Sequence, residues 1–278
     1  MIERARPLLG TIARVRADAP SRVIEAAFVA IGAVGDAMSA FEVDSDLTRV
    51  HAAPCGTSVA IRPLTRQVIS FGLKLAAESD GLFDIALGGE AFAHGSAPQP
   101  LYPCYALESV QGATWRDIDL RDDGLCLNRP LWLDLAGIAK GFAVDQAVSA
   151  LKISGADQGA VNIGGDLAVF GTTPETVLLR ADGAPVSPTI ELENGAIASS
   201  GGAPGRVKTR HFDGRNRAPI SPDRFASVLA PSCLAADALT KMALAGVPVN
   251  LGLLTKYSAQ AVCYDTVGGW QIYGEQNG

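Results

Sequence analysis

The sequence predicts an α+β protein of antiparallel and mixed sheets with flanking helices. Three observations carry that expectation. Short apolar runs bounded by Gly and Pro crowd residues 159–200 at intervals that suit hairpins. Apolar residues recur at helical spacing in only a few stretches, 21–40, 64–79, 138–152 and 232–245. No internal repeat and no linker divides the 278 residues, so one compact domain over 1–278 is expected.

The elements follow in order. Residues 11–17 alternate as a strand does. Residues 21–40 open on Ser21 after a proline and set Val23, Ile24, Ala27, Phe28, Ile31, Val34 and Met38 on one helical face. Residues 42–49 are polar and acidic and read as a loop; they lack the Gly and terminal Glu spacing of a calcium-binding EF-hand. A helix over 64–79 stops at Asp80-Gly81, with Gly suited to the left-handed position after a helix. Small residues and three prolines make 88–104 a loop-rich insertion. Strands follow near 114–120 and 124–128, and 131–135 reads as a strand feeding the helix at 138–152. Beyond it come strands at 160–163, 167–170, 177–180, 189–192 and 197–199. Residues 201–224 read as a basic loop with one short strand. A strand at 226–230, the helix at 232–245 and closing strands at 259–264 and 269–273 complete the chain.

Composition excludes several classes. Apolar residues make up 48% and charged residues 19%, below the usual 25% or so of charge but far from a disordered composition. A net charge of -6 argues against a broad basic nucleic-acid surface. No run of about 18 apolar residues suggests a membrane span. The N-terminus lacks the apolar stretch of a secretory signal, and the expected location is the cytoplasm. Five cysteines without a CxxC pair exclude a zinc knuckle or a thioredoxin-type pair and fit a reducing compartment. Glycine is abundant, 30 residues, about 11% against a usual 7% or so.

Three glycine-bearing turns and one helix face hold the candidate chemistry. Asp134 to Asp145 passes from strand to helix through Gly137, where free N–H groups favour an anion and Lys140 adds charge. The plain alternative is a tight turn with a surface lysine. Asn162-Ile-Gly164-Gly165-Asp166 is a hairpin turn in most proteins, though Asn162 stands where a side chain holds either a ligand or the turn. Ser199-Ser200-Gly201-Gly202 ends a strand and leads to His211 and Asp213, a base and its neighbouring acid, or else a solvated basic loop. Asp237, Thr240 and Lys241 fall at i, i+3 and i+4 and share a helix face, as a surface ion pair or as a polar cluster lining a site.

Taken together and in order, these segments resemble the FAD:protein FMN transferase family, the ApbE-like proteins. The resemblance runs from Leu9-Gly10-Thr11 to the Asp237 helix. It includes Met38-Ser-Ala-Phe41, Ser45-Asp-Leu-Thr-Arg49, Gly81-Leu-Phe83-Asp84, the run Leu133 to Asp145, Asn162 to Asp166, and Ser199-Ser200-Gly201. It implies an ApbE-like domain that binds FAD and moves FMN onto a Thr or Ser of an acceptor flavoprotein, releasing AMP. Met38, Phe83, Asp84, Gly137, Lys140, Asn162, Gly164, Gly165, Ser199, Ser200, Gly201 and Lys241 are then candidates for FAD binding. His211 and Asp213 are candidates for the proton step, and Asp237 and Thr240 for Mg²⁺. Two departures stand out. The His211 segment is one residue shorter than the family's His-x-x-Asp-Pro-x-Thr-Gly and lacks its Pro, Thr and Gly. Lys241 occupies the position of the family's late-helix Thr, where its ammonium would replace the metal ion. A non-catalytic FAD-binding protein and an FAD pyrophosphatase remain the alternative readings.

Overall fold

Eight short segments pair into one antiparallel sheet, its central strands buried along most of their length and its first strand exposed. The computed structural model describes residues 1–201, 211–246 and 250–274. These fall into two compact units, taken in turn. The first holds residues 1–33, 137–201 and those from 221 onward. Its sheet strands are β1 (Ile2–Leu8), β2 (Thr11–Ala17), β3 (Gly159–Ile163), β4 (Asp166–Phe170), β5 (Gly195–Gly201), β6 (Phe225–Ala230), β7 (Gln260–Asp265) and β8 (Gly269–Tyr273). They lie in the sheet in chain order, each antiparallel to its neighbours.

Two helices of this unit position the candidate site. The helix α1 (Ser21–Met38) comes first in the chain, followed by α2 (Ala139–Ile153) and α3 (Cys233–Gly246). Helices α2 and α3 pack on the sheet and against each other. Gly141 sets their separation: a Cβ there would stand 2.3 Å from the Cys233 carbonyl oxygen. Asp145 of α2 accepts the Cys233 and Leu234 N–H groups at 2.8 and 2.9 Å and so caps the start of α3.

The period-2 pleat sends alternate residues to opposite faces of the sheet. On β4, Leu167 and Val169 join an apolar cluster with Leu179, Leu192, Ile197, Phe225 and Tyr264. The intervening Asp166 and Ala168 turn toward the other face, which carries α2. A two-residue turn joins β3 to β4 through Gly164 and Gly165, with φ of +63° and +104°. Such a turn needs positive φ at both positions, which glycine adopts without steric cost.

The second unit holds residues 34–136 and 211–220. Its helices are Asp46–Ala52, Pro63–Glu78, Gly88–Ala93 and Leu107–Val110. Gly124–Leu127 lies between Ser58–Val59 and Ile118–Arg121 in a small sheet. Phe212–Asp213 pairs with Ala218–Pro219.

Several expectations are corrected here. The acidic stretch 42–49 is not all loop, because a helix starts at Asp46. Ser45 caps it by accepting the Thr48 N–H. The Asp46 carboxylate is buried and takes the Arg62 N–H and the Thr65 hydroxyl. The segment 88–104 opens with a helix, and Gly88 serves packing: a Cβ there would lie 2.6 Å from the Trp132 carbonyl oxygen. Residues 131–135 are buried but form no strand. Their backbone bonds go elsewhere: Trp132 O accepts the Gly88 N–H, the Leu133 N–H goes to His51 Nε2, and the Asp134 N–H goes to Ile85 O. The strand β1 and a helix at Leu251–Lys256 were not expected from the sequence.

Candidate active site

Residues from the 137–145, 162–166, 199–201 and 237–241 segments converge on the helix-bearing face of the first unit. Lys140, one residue into α2, places its ammonium against the Asp166 carboxylate of β4, and 3.8 Å from Asp237 Oδ2 of α3. Lys241 lies one turn beyond Asp237 and folds back on it, donating to Oδ1 and, at 2.9 Å, to the Asp237 carbonyl. Asp237 Oδ2 accepts the Gly141 N–H at 3.2 Å. The Thr240 hydroxyl donates to the Asp237 carbonyl at 2.7 Å and lies 2.8 Å from the Ser200 hydroxyl. Gly137 completes the group, since a Cβ on it would stand 3.3 Å from Lys241 Cε. Two ammonium groups, two buried carboxylates and two hydroxyls thus share one small region.

The electrostatics follow from burial and proximity. Burial pulls the Lys140 ammonium down, but Asp237 and Asp166 outweigh it, so its pKa is raised and it stays charged. Burial and then the Asp237 charge push the Asp166 carboxyl up, against the pull of both lysines. The neighbouring Cys233 thiol is pushed well above its ordinary value, first by burial and then by Asp166, Asp145 and Asp237. It therefore stays protonated and serves as packing rather than as a nucleophile.

The Mg²⁺ expected at Asp237 and Thr240 does not fit these residues. Both Asp237 carboxylate oxygens already have donors, one of them an ammonium, and the Thr240 hydroxyl is engaged with Asp237 and Ser200. Among the described residues no three His, Cys, Asp or Glu side chains gather as a metal site. Mg²⁺ prefers near-octahedral oxygen ligation, which this donor set does not supply.

Other candidate residues are held by the fold itself. Asn162 accepts the Gly165 N–H at 3.2 Å, and the Gly164 N–H points to Ile12 O. That turn therefore presents no free amide to a phosphate; it delivers Asp166. Ser199 pairs with Ser227 directly across the β5–β6 ladder, so only Ser200 reaches α3. Gly201 serves packing, because a Cβ there would lie 2.1 Å from the Arg224 carbonyl oxygen. Gly202 lies outside the described residues.

In the second unit, Met38, Phe83 and Asp84 are buried. The Asp84 carboxylate accepts the Ala86 and Trp115 N–H groups at 2.8 and 3.1 Å. Burial nonetheless pushes its carboxyl up to about 6. Half-buried His211 receives the Ile220 N–H on its carbonyl. The Asp213 carboxylate takes the Arg215 guanidinium and backbone N–H. That guanidinium holds the carboxyl below its ordinary range.

Sequence reasoning missed Asp166 and Arg217. Asp166 was visible as the residue straight after the Gly-Gly turn, where strand parity turns it toward α2. Arg217 was visible only as one of the arginines following His211, with nothing in the sequence to give its partners. It stands in the left-handed region at φ +59° and reaches back to Glu90 and to the Ala113 and Ala86 carbonyls.

Solved structures share this architecture. The flavin transferase ApbE from Vibrio cholerae superposes with a TM-score of 0.85 over 98% of this chain and 96% of that one, at 23% identity. At such identity the likeness establishes the fold, an α+β protein of the kind seen in that flavin transferase. Two relatives are named FAD:protein FMN transferase. The one from Vibrio cholerae serotype O1 is 28% identical over 227 residues, 74% of this chain and 68% of that protein. The one from Haemophilus influenzae is 26% identical over 233 residues, 73% of this chain and 66% of that protein. The matched stretches span about two thirds of those relatives' length. The ApbE family model matches residues 9–262, and the chain belongs to the ApbE family.

Proposed function

We propose that this chain is a FAD:protein FMN transferase, a single flavin-nucleotide-binding domain over 1–278. It would move FMN from FAD onto a Thr or Ser hydroxyl of an acceptor flavoprotein and release AMP. The observation that carries this reading is the pair of ammonium groups, Lys140 and Lys241, gathered beside Gly137 in a chain matched to the ApbE family over 9–262.

The chemistry is an in-line displacement. The acceptor hydroxyl oxygen bonds to the FMN phosphorus, and the bond from that phosphorus to the bridging oxygen breaks. AMP leaves with that oxygen, and the hydroxyl proton passes to a base. We assign that base to His211, in a segment fixed by the Asp213–Arg215 pair. Lys140, Lys241 and Ser200 would meet the diphosphate, while Asp166, Asp237 and Thr240 orient the lysines. Fixed positive charge beside a transferring phosphoryl group is the main electrostatic means of stabilising it. Met38, Phe83, Asp84, Asn162, Gly164, Gly165, Ser199 and Gly201 would act through the shape they hold. Five free cysteines support a reducing compartment such as the cytoplasm. Among the described residues no helix is long and apolar enough to cross a membrane.

The test is incubation with FAD and a candidate acceptor flavoprotein, with and without Mg²⁺. The expected result is a mass gain of one FMN group on the acceptor and an equal amount of AMP. AMP without labelling would make the protein a pyrophosphatase; bound FAD without AMP would make it a carrier.

A further inference from the structure

We infer that this chain meets the FAD diphosphate with the fixed ammonium of Lys241 in place of a divalent metal ion, and that it binds FAD and transfers FMN without Mg²⁺. The inference rests on the transferase reading above and concerns the same site.

Asp237 and Lys241 stand at i and i+4, so their side chains share one face of α3. The lysine spends two of its three N–H donors on Asp237, one on Oδ1 and one on the backbone carbonyl. One donor is left for a ligand, and the side chain keeps 13% of its surface exposed. Gly137 leaves open the space beside it, which a Cβ would enter at 3.3 Å from Lys241 Cε. A divalent ion brought to Asp237 would have to displace this ammonium or sit against it, and either is electrostatically unfavourable. The second carboxylate, Asp166, is likewise already met by Lys140. The ammonium therefore stands where a metal would be held, and it supplies charge and hydrogen bonds to an anion.

The test titrates wild-type protein with FAD, following flavin fluorescence in EDTA and in Mg²⁺, and measures AMP release with an acceptor in both. A calorimetric titration with Mg²⁺ alone accompanies it. The inference expects equal FAD affinity and AMP release in EDTA and in Mg²⁺, and no saturable Mg²⁺ binding. Lys241→Met keeps the length and loses the charge. Its FAD affinity in EDTA should fall on the order of tenfold or more, the value of a charge-assisted hydrogen bond. Wild-type binding or release that requires Mg²⁺ overturns the inference and leaves the transferase reading standing. So does Lys241→Met protein that binds FAD as tightly as wild type in EDTA. Absence of both FAD binding and AMP release in either condition overturns the transferase reading and the inference with it. Should Lys241→Met fail to fold, the wild-type titrations decide the matter alone.

Discussion

Each unit buries a cluster of charges, and the two are built differently. In the first unit Asp166 and Asp237 each touch an ammonium, from Lys140 and Lys241. In the second, Arg217 gives its fork to Glu90 and to two backbone carbonyls. There Asp84 receives the N–H groups of Ala86 and Trp115. A guanidinium spent on one carboxylate and two backbone carbonyls is part of the frame. An ammonium is a compact charge on a flexible stem with donors to spare. The contrast separates a cluster that holds a loop in place from one whose lysine keeps a donor uncommitted.

The largest effect should come from the frame. Arg217→Ala leaves the half-buried Glu90 without its cation and frees the Ala113 and Ala86 carbonyls, and losing such charge-assisted bonds should cost about 3 kcal/mol. Thermal or urea unfolding would measure it. Arg217→Gly should recover about 1 kcal/mol relative to Ala, because the left-handed backbone strains any residue with a Cβ. Equal losses for the two variants would mean that strain at φ +59° contributes nothing.

Next comes pH. His51 is buried, and its Nε2 accepts the Leu133 N–H. Burial lowers its pKa from 6.5 to about 4. The unfolded chain therefore binds the proton more readily, and stability is lost as pH falls from about 6.5 toward 4. The full shift corresponds to something on the order of 3 kcal/mol. Asp84 has the opposite sign. Its carboxyl is raised from 3.8 to about 6, so its contribution is fully present below 3.8 and is lost as pH rises through 6. His51→Gln should flatten the acid-side loss and expose the Asp84 trend, read from denaturant midpoints across that range.

Two smaller changes probe the lysine–aspartate cluster of the first unit. Gly141→Ala forces α2 away from the Cys233 carbonyl, and overpacking of this kind costs about 1–3 kcal/mol. It should also loosen the Gly141–Asp237 bond and weaken FAD binding. Lys241→Met should cost only about 1 kcal/mol of stability, since Asp237 keeps the Gly141 N–H and the Lys140 charge nearby. A loss as large as that of Arg217→Ala would erase the contrast between the clusters.

Much of the fold was legible in local pattern. Alternation marks β2, short apolar runs set off by turn residues mark the strands from β3 to β8, and helical spacing marks α1, α2 and α3. The strand β1 was not legible, because its exposed Glu3, Arg4 and Arg6 lie on a sheet edge and show no apolar alternation. Residues 131–135 look like a strand because all that strand-like burial requires is apolar side chains. Their hydrogen bonds go to partners up to 82 residues away, and no local pattern encodes those. At the candidate site, Lys140, Asp237, Thr240 and Lys241 stood out by residue type and spacing. Ser199 and Ser200 looked equivalent until strand parity divided them.

Residue order alone determined the α+β class, the family and the short list of charged and glycine-bearing turns, because those depend on spacing along the chain. It also set Lys241 one turn beyond Asp237. Tertiary structure decided which charges meet. That Asp166 pairs with Lys140, that Gly141 donates to Asp237, and that Arg217 clamps its loop depend on groups from distant elements brought within about 3 Å. At that range Coulomb and hydrogen-bond energies are large, and only the folded packing sets the distance.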